Sequence, residues 1–188
     1  MNDIALAKAQ LRSKILADRT ARTNTELDEI NLTNQLLSLV ERTQPTRVAT
    51  YISFASEPST KLFIKELLNR EIQVLVPKLI GAEMDWFAFD GTSTITSTLG
   101  MQEPNSAVLE QLELLETDLL VIPALAVDRL GNRLGRGKGY FDRALAKSFM
   151  LQRFAVCFEN EFLANLPYEE HDRRVQGLVT EQAIHDLN

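Results

Sequence analysis

Between Gly131 and Arg143 the chain reads GNRLGRGKGYFDR, and this stretch carries the residue types best suited to chemistry. Gly131, Gly135, Gly137 and Gly139 permit turns and close backbone approaches that side chains would block. Successive exposed N–H groups in such a segment, leading into a helix, favour anions. Arg133, Arg136 and Lys138 place three cations within six residues. Together these features suit a polyphosphate tail. The segment is neither a P-loop, because Asn132 stands where its first glycine would be, nor a dinucleotide fingerprint, because the glycines fall at 135, 137 and 139. A flexible basic surface loop is the plainer alternative. Asp142 has two readings of equal weight: an acid placed favourably in the first turn of a helix, or a carboxylate holding Mg2+ against phosphates.

The elements that must position this segment follow from apolar periodicity. Ile4, Leu6, Leu11, Ile15 and Leu16 predict a first helix, and Leu27, Ile30, Leu36, Leu37 and Val40 a second, ended by Pro45. Residues 47–53 read as a strand, a helix follows Pro58, and 71–76 form a buried strand closed by Pro77. Residues 84–89 and 92–98 suggest shorter strands or a hairpin, with Met84, Trp86 and Phe87 more suited to a core than to a ligand pocket. Further strands are expected at 118–122, 154–158 and 178–179, and a helix from about 139 to 149. Residues 123–139 form a long irregular loop anchored by Leu125, Val127, Leu130 and Leu134; loops of that length are functional or disordered. Strands alternating with helices predict one α/β domain over residues 1–188, a Rossmann-like three-layer sandwich with a largely parallel sheet and helices on both faces.

Bulk properties narrow the function. A formal net charge of −6 over 188 residues argues against general nucleic-acid binding, so a local basic cluster reads as a pocket for a small polyanion. The single Cys157 excludes an internal disulfide and a multi-thiolate metal site, and in an apolar strand it reads as inert. His171 and His185 are too few for zinc and read as surface residues. No apolar run approaches a membrane span, and the first residues lack a signal peptide's apolar core, so the expected location is cytoplasmic, with no membrane, nucleic-acid or obligate protein partner.

With 118–128, DLLVIPALAVD, before it, GNRLGRGKGYFDR resembles the signature of the 5-formyltetrahydrofolate cyclo-ligase family. The flanks agree in order: Lys8 and Arg12 near the start, Glu57 and Thr60 in the segment 51–60, the Gly-x-x-Glu-Pro element at 100–104, Leu166-Pro167, His171-Asp172, and 179–181. The resemblance implies ATP-dependent closure of 5-formyltetrahydrofolate, polyglutamylated or not, to 5,10-methenyltetrahydrofolate with release of ADP and phosphate. It implies ATP contacts from Lys8, Arg12, Arg133, Leu134, Gly135, Arg136, Gly137, Lys138, Gly139, Tyr140 and Phe141. Substrate would meet Ile52, Glu57 and Tyr140, Mg2+ would meet Asp142 and Asp172, and Arg136, Lys138 and Tyr140 would serve the reaction. Each has a plainer reading beside it. Lys8 and Arg12 form an i, i+4 pair typical of a solvated face, Glu57 before Pro58 suits a helix cap, and Asp172 sits in a charge run. Phe141 for a second Tyr, Gln176 for an Asp and Pro58 for an aliphatic residue depart from the family pattern. Two other functions stay open: a non-catalytic folate or nucleotide binder, and a sugar-phosphate isomerase or acyl-CoA transferase relative.

Overall fold

The computed structural model describes residues 3–23, 25–81, 83–97, 102–115, 118–146, 152–169 and 172–187. The elements in chain order are α1 (Asp3–Ala21), α2 (Glu26–Thr43), β1 (Arg47–Ala49), α3 (Lys61–Asn69), β2 (Gln73–Ile80), β3 (Glu83–Ala88), β4 (Thr94–Thr96), β5 (Gln102–Pro104), β6 (Gln111–Leu112), β7 (Leu119–Pro123), β8 (Ala126–Asp128), β9 (Arg133–Leu134), α4 (Tyr140–Ala146), β10 (Gln152–Val156), β11 (Phe162–Leu163), β12 (Gly177–Val179) and β13 (Ile184–Asp186).

Among the described residues the main sheet runs β13-β12-β10-β7-β1-β2-β3-β6. The five strands from β12 to β2 are mutually parallel, and antiparallel β13 and β3 flank them. Parallel strands need crossovers and are covered on both faces, which is why their sequences are continuously apolar. The alternation of side chains along each strand then divides them between two cores. Val48, Val74, Val76, Leu119, Val121, Phe154, Val156 and Val179 pack with Leu36, Leu39 and Leu67 of α2 and α3. Ala49, Leu75, Leu120, Ile122, Ala155, Cys157 and Leu178 face the other way, against Val127 and Phe141. The α/β layering expected from the sequence is the one found.

Local differences have physical causes. Residues 47–53 keep only three residues in the sheet; the chain then turns through Ala55, which has positive φ, and Tyr51 donates its hydroxyl to the Pro58 carbonyl at 2.9 Å. Pro77 does not close β2, which continues to Ile80. The amide of Thr50 bonds the carbonyl of Leu75, so odd-numbered residues of β2 face β1, and β1 has ended before Pro77. The proline thus falls where the pairing with β1 stops, and β2 runs on against β3 alone. Leu27 and Ile30 are exposed: Leu27 precedes Leu36 by two and a half turns at about 3.6 residues per turn, so it points away from the core that Leu36 enters. Residues 84–88 lie in β3, which pairs with β2, whereas β4 pairs with β5; Trp86 and Phe87 are buried in the core. The helix expected to 149 is described as far as Ala146, and residues 147–149 lie outside the described residues, as do Gly100, Met101 and His171.

The segment 123–139 is not irregular throughout. β8 and β9 make a short antiparallel hairpin, and β11 adds to β8 in parallel. Leu125, Val127 and Leu134 anchor it as expected, but Leu130 sits at the hairpin tip and is half exposed. Ile15 of α1 packs with Leu125, Leu134 and Leu166, seating the first helix on this small sheet.

Candidate active site around the glycine-rich segment

Helix α1 turns a polar stripe inward. Lys8, Arg12, Ile15 and Arg19 recur at i, i+4, i+7 and i+11, one face of a helix. Lys8 is 5% and Arg19 3% exposed, so the solvated-face reading of the Lys8–Arg12 pair fails for Lys8. Arg19 holds Glu161 with two hydrogen bonds of 2.6 and 2.7 Å and donates to the Ala124 carbonyl, fixing the helix at the carboxyl end of β7. Lys8 reaches Asp172 at 2.5 Å and Glu169 at 2.9 Å. Burial pulls its ammonium down, and the hydrogen bonds and charges of Asp172 and Glu169 more than offset this, leaving the pKa above the ordinary lysine value. Arg12 donates through Nε to the Gly135 carbonyl at 2.9 Å.

The glycines matter at this contact. Gly137 has φ +93°, and a Cβ there would stand 3.3 Å from the Arg12 guanidinium carbon. A Cβ on Gly135 would come within 2.8 Å of an Arg133 nitrogen. The absence of side chains thus lets two guanidinium groups lie against the loop backbone. Arg133 is buried and bonds Asp142 at 2.7 Å, with its guanidinium 5.9 Å from the Phe141 ring. Arg143 lies 5.0 Å from the Tyr140 ring. Gly137 and Lys138 are exposed, and Arg136, at the loop surface, donates to Glu57 at 2.9 Å. The other oxygen of Glu57 accepts the Phe54 amide at 3.0 Å, so its carboxylate is held from two sides.

The fold therefore brings residues from four distant stretches of sequence together in pairs: Lys8 with Asp172, Arg12 with Gly135 and Gly137, Arg133 with Asp142, and Arg136 with Glu57. Ile52 packs partly buried against the larger core beside the Glu57 loop. Asp142 and Asp172 face different cations. Among the described residues no group of three or more His, Cys, Asp or Glu side chains stands ready as a metal cage.

Three contributors were not legible in the sequence. Asp128, 1% exposed, accepts from the amides of Leu130, Asn132 and Leu166 and from the Asn132 side chain. Asn132 in turn accepts from Arg174 at 3.0 Å. Glu169 shares Lys8 with Asp172. An acid at a strand end followed four residues later by Asn is a turn signal, but nothing local points to residues 166 or 174.

A family model described as the 5-formyltetrahydrofolate cyclo-ligase family matches residues 5–181, which includes every one of these pairs. The chain belongs to that family. Among its relatives, the 5-formyltetrahydrofolate cyclo-ligase of Haemophilus influenzae is 33% identical over 167 residues, covering 85% of this chain and 88% of that protein. The protein of the same name from Mycolicibacterium smegmatis is 30% identical over 182 residues, 93% of each. The NMR structure of 5,10-methenyltetrahydrofolate synthetase from Aquifex aeolicus superposes with a TM-score of 0.84 at 28% identity, covering 96% of this chain and 93% of that one. A synthetase from Mycoplasma pneumoniae, with a TM-score of 0.74 at 19% identity, shares the fold. Cyclo-ligase family membership and the α/β architecture expected from the sequence both hold. No helix among the described residues is long and apolar enough to cross a membrane.

Proposed function

We propose that the chain closes 5-formyltetrahydrofolate to 5,10-methenyltetrahydrofolate, with ATP going to ADP and phosphate, at the site built around the glycine-rich segment. The observation that carries this is the convergence of Arg12, Arg133 and Arg136 on one glycine-rich loop beside Glu57 in a member of this family.

The residues fit Mg-ATP. The cations on and against the loop, Arg12, Arg133, Arg136 and Lys138, suit the negative charge of phosphate oxygens. Gly135 and Gly137 leave room for the Arg133 and Arg12 guanidinium groups to lie against the loop that would meet the phosphates. Magnesium takes one or two carboxylates together with phosphate oxygens, and Asp142 and Asp172 are the two on offer. When bound, the ion supplies charge neutralisation on the phosphate oxygens.

The chain's own part is positioning and charge, which is what phosphoryl transfer asks of a protein. The formyl oxygen bonds to the terminal phosphorus as the bond to ADP breaks. The neighbouring amine then adds to the activated formyl carbon, its proton leaves to solvent, and the carbon–oxygen bond to phosphate breaks. Arg136 and Lys138 sit on the exposed crest of the loop and would balance the charge that collects on the transferring group. Lys8, Arg12 and the segment 133–141 would hold the rest of ATP, while Glu57 would accept from the pterin ring and Ile52 and Tyr140 would flank it. The expected site of action is the cytoplasm.

The test is stoichiometry. Purified protein given 5-formyltetrahydrofolate and Mg-ATP should release phosphate and methenyltetrahydrofolate in equal amounts. Ligand binding without release of either would support the non-catalytic binder instead.

A further inference from the structure

The segment carrying Asp142 and the segment carrying Asp172 are registered against each other by a buried polar relay. Asp128 closes the turn between β8 and β9 by accepting from the amides of Leu130 and Asn132, each at 2.9 Å. Its second oxygen accepts the Asn132 side-chain N–H at 2.8 Å and the Leu166 amide at 3.0 Å. Asn132, 3% exposed, then presents its carbonyl oxygen to Arg174 Nε at 3.0 Å. Alongside, the Val175 amide donates to the Gly131 carbonyl at 2.9 Å. Gly131 has φ +78°, and a Cβ there would lie 2.4 Å from the Val175 carbonyl oxygen, so the two backbones touch.

We propose that Asn132 and Arg174 are positioning residues that set the spacing between Asp142, held through Arg133 one residue beyond Asn132, and Asp172, two residues before Arg174. This rests on the Mg-ATP reading above. The reasoning is geometric. Asn132 is held by Asp128 inside the turn and accepts from Arg174 outside it, so the bond that crosses between the segments is lost if residues 172–175 slide past the turn. Asp128 supplies the other fixed point: its four accepted bonds hold Asn132 and tie the hairpin to residue 166, at the start of the same C-terminal stretch. A shift of about 1 Å between two groups that must meet one ligand is enough to cost catalysis heavily.

The experiment is titration calorimetry of the full chain with Mg-ATP in the absence of folate, with the melting temperature and, in a separate assay, the KM for 5-formyltetrahydrofolate measured in parallel. Arg174 is exposed, so Arg174→Met removes the outer bond without opening a cavity. It should weaken Mg-ATP binding about fivefold, on the order of one hydrogen bond, while the melting temperature and the KM for 5-formyltetrahydrofolate hold. Arg174→Lys, which keeps a donor, should recover part of the loss. Asn132→Leu cuts both bonds inside the fold and should weaken Mg-ATP more than Arg174→Met does. Unchanged Mg-ATP affinity in Arg174→Met, or losses of ATP and folate affinity in equal measure, would overturn the relay. No Mg-ATP binding by the wild-type chain would instead remove the Mg-ATP reading itself, and the relay with it.

Discussion

Arg136 donates to Glu57 at 2.9 Å across 79 residues of sequence, joining the loop proposed for phosphate to the acid proposed for the pterin. The Glu57 side chain is 10% exposed and Arg136 42%, so the arginine is the partner free to leave. Each side chain neutralises the other. Release of Arg136 to a phosphate would leave the Glu57 carboxylate ready for the N–H groups of a folate.

Glu57→Gln should therefore spare Mg-ATP and weaken 5-formyltetrahydrofolate binding about tenfold, the scale of one charge-assisted bond. Lys138→Ala should do the reverse. Titration of each ligand against each variant measures this partition, and equal losses of both ligands in both variants would contradict it.

Lys8 is a stability residue as well as an ATP ligand in this account. Lys8→Met leaves Asp172 and Glu169 without their shared cation and should cost about 2 kcal/mol, less than for a fully buried pair because Glu169 is partly exposed. Its raised pKa fixes the sign of the pH dependence: the contribution is complete below the unfolded lysine value of 10.5 and is lost as pH rises through the higher folded value. Urea melts of wild type and Lys8→Met at pH 7 should differ by that amount; coincident curves would show the ion pair to be idle.

Asp90 works at the other end of the scale. Its carboxylate accepts from the Ser93 hydroxyl and from the Ser93 and Thr92 amides, which lower its pKa to about 2 from 3.8. A depressed carboxylate stabilises the fold above its unfolded pKa and loses that contribution as pH falls through the folded one. Asp90→Asn should accordingly flatten the fall in melting temperature between about pH 4 and pH 2. Parallel acid melts for both proteins would refute this.

Cys157 is 1% exposed, and burial pushes its thiol pKa well up. A thiol held protonated in the core is a poor nucleophile. An aromatic disulfide reagent should modify it only after denaturant is added, and prompt labelling of the native chain would place Cys157 elsewhere.

What the sequence made legible was local. The glycines and cations at 131–139 stand out as a candidate anion site because the pattern lies within one short stretch, and the strands declare themselves because parallel strands buried on both faces are apolar throughout. What stayed hidden depends on distant partners. Lys8 and Arg12 read as a solvent face until Asp172 and Gly135 arrive from more than 120 residues away. Pro77 reads as a strand end until β1 is seen to stop short of it. Asp128 and Asn132 drew no role from the sequence because their bonds to residues 166 and 174 cross the fold.

The most direct measurement is the absorbance of methenyltetrahydrofolate formed from 5-formyltetrahydrofolate, with and without Mg-ATP, by wild type and Asp142→Ala. Asp142 is 27% exposed on its side chain and bonded to buried Arg133, and it belongs to neither core cluster, so its removal strips a carboxylate from the proposed site and leaves the main core untouched. The account predicts product only with Mg-ATP, and a fall of about a hundredfold or more in the variant, as for loss of a group that stabilises charge in the transition state. Full activity in Asp142→Ala, or no product from folded wild type, would contradict it.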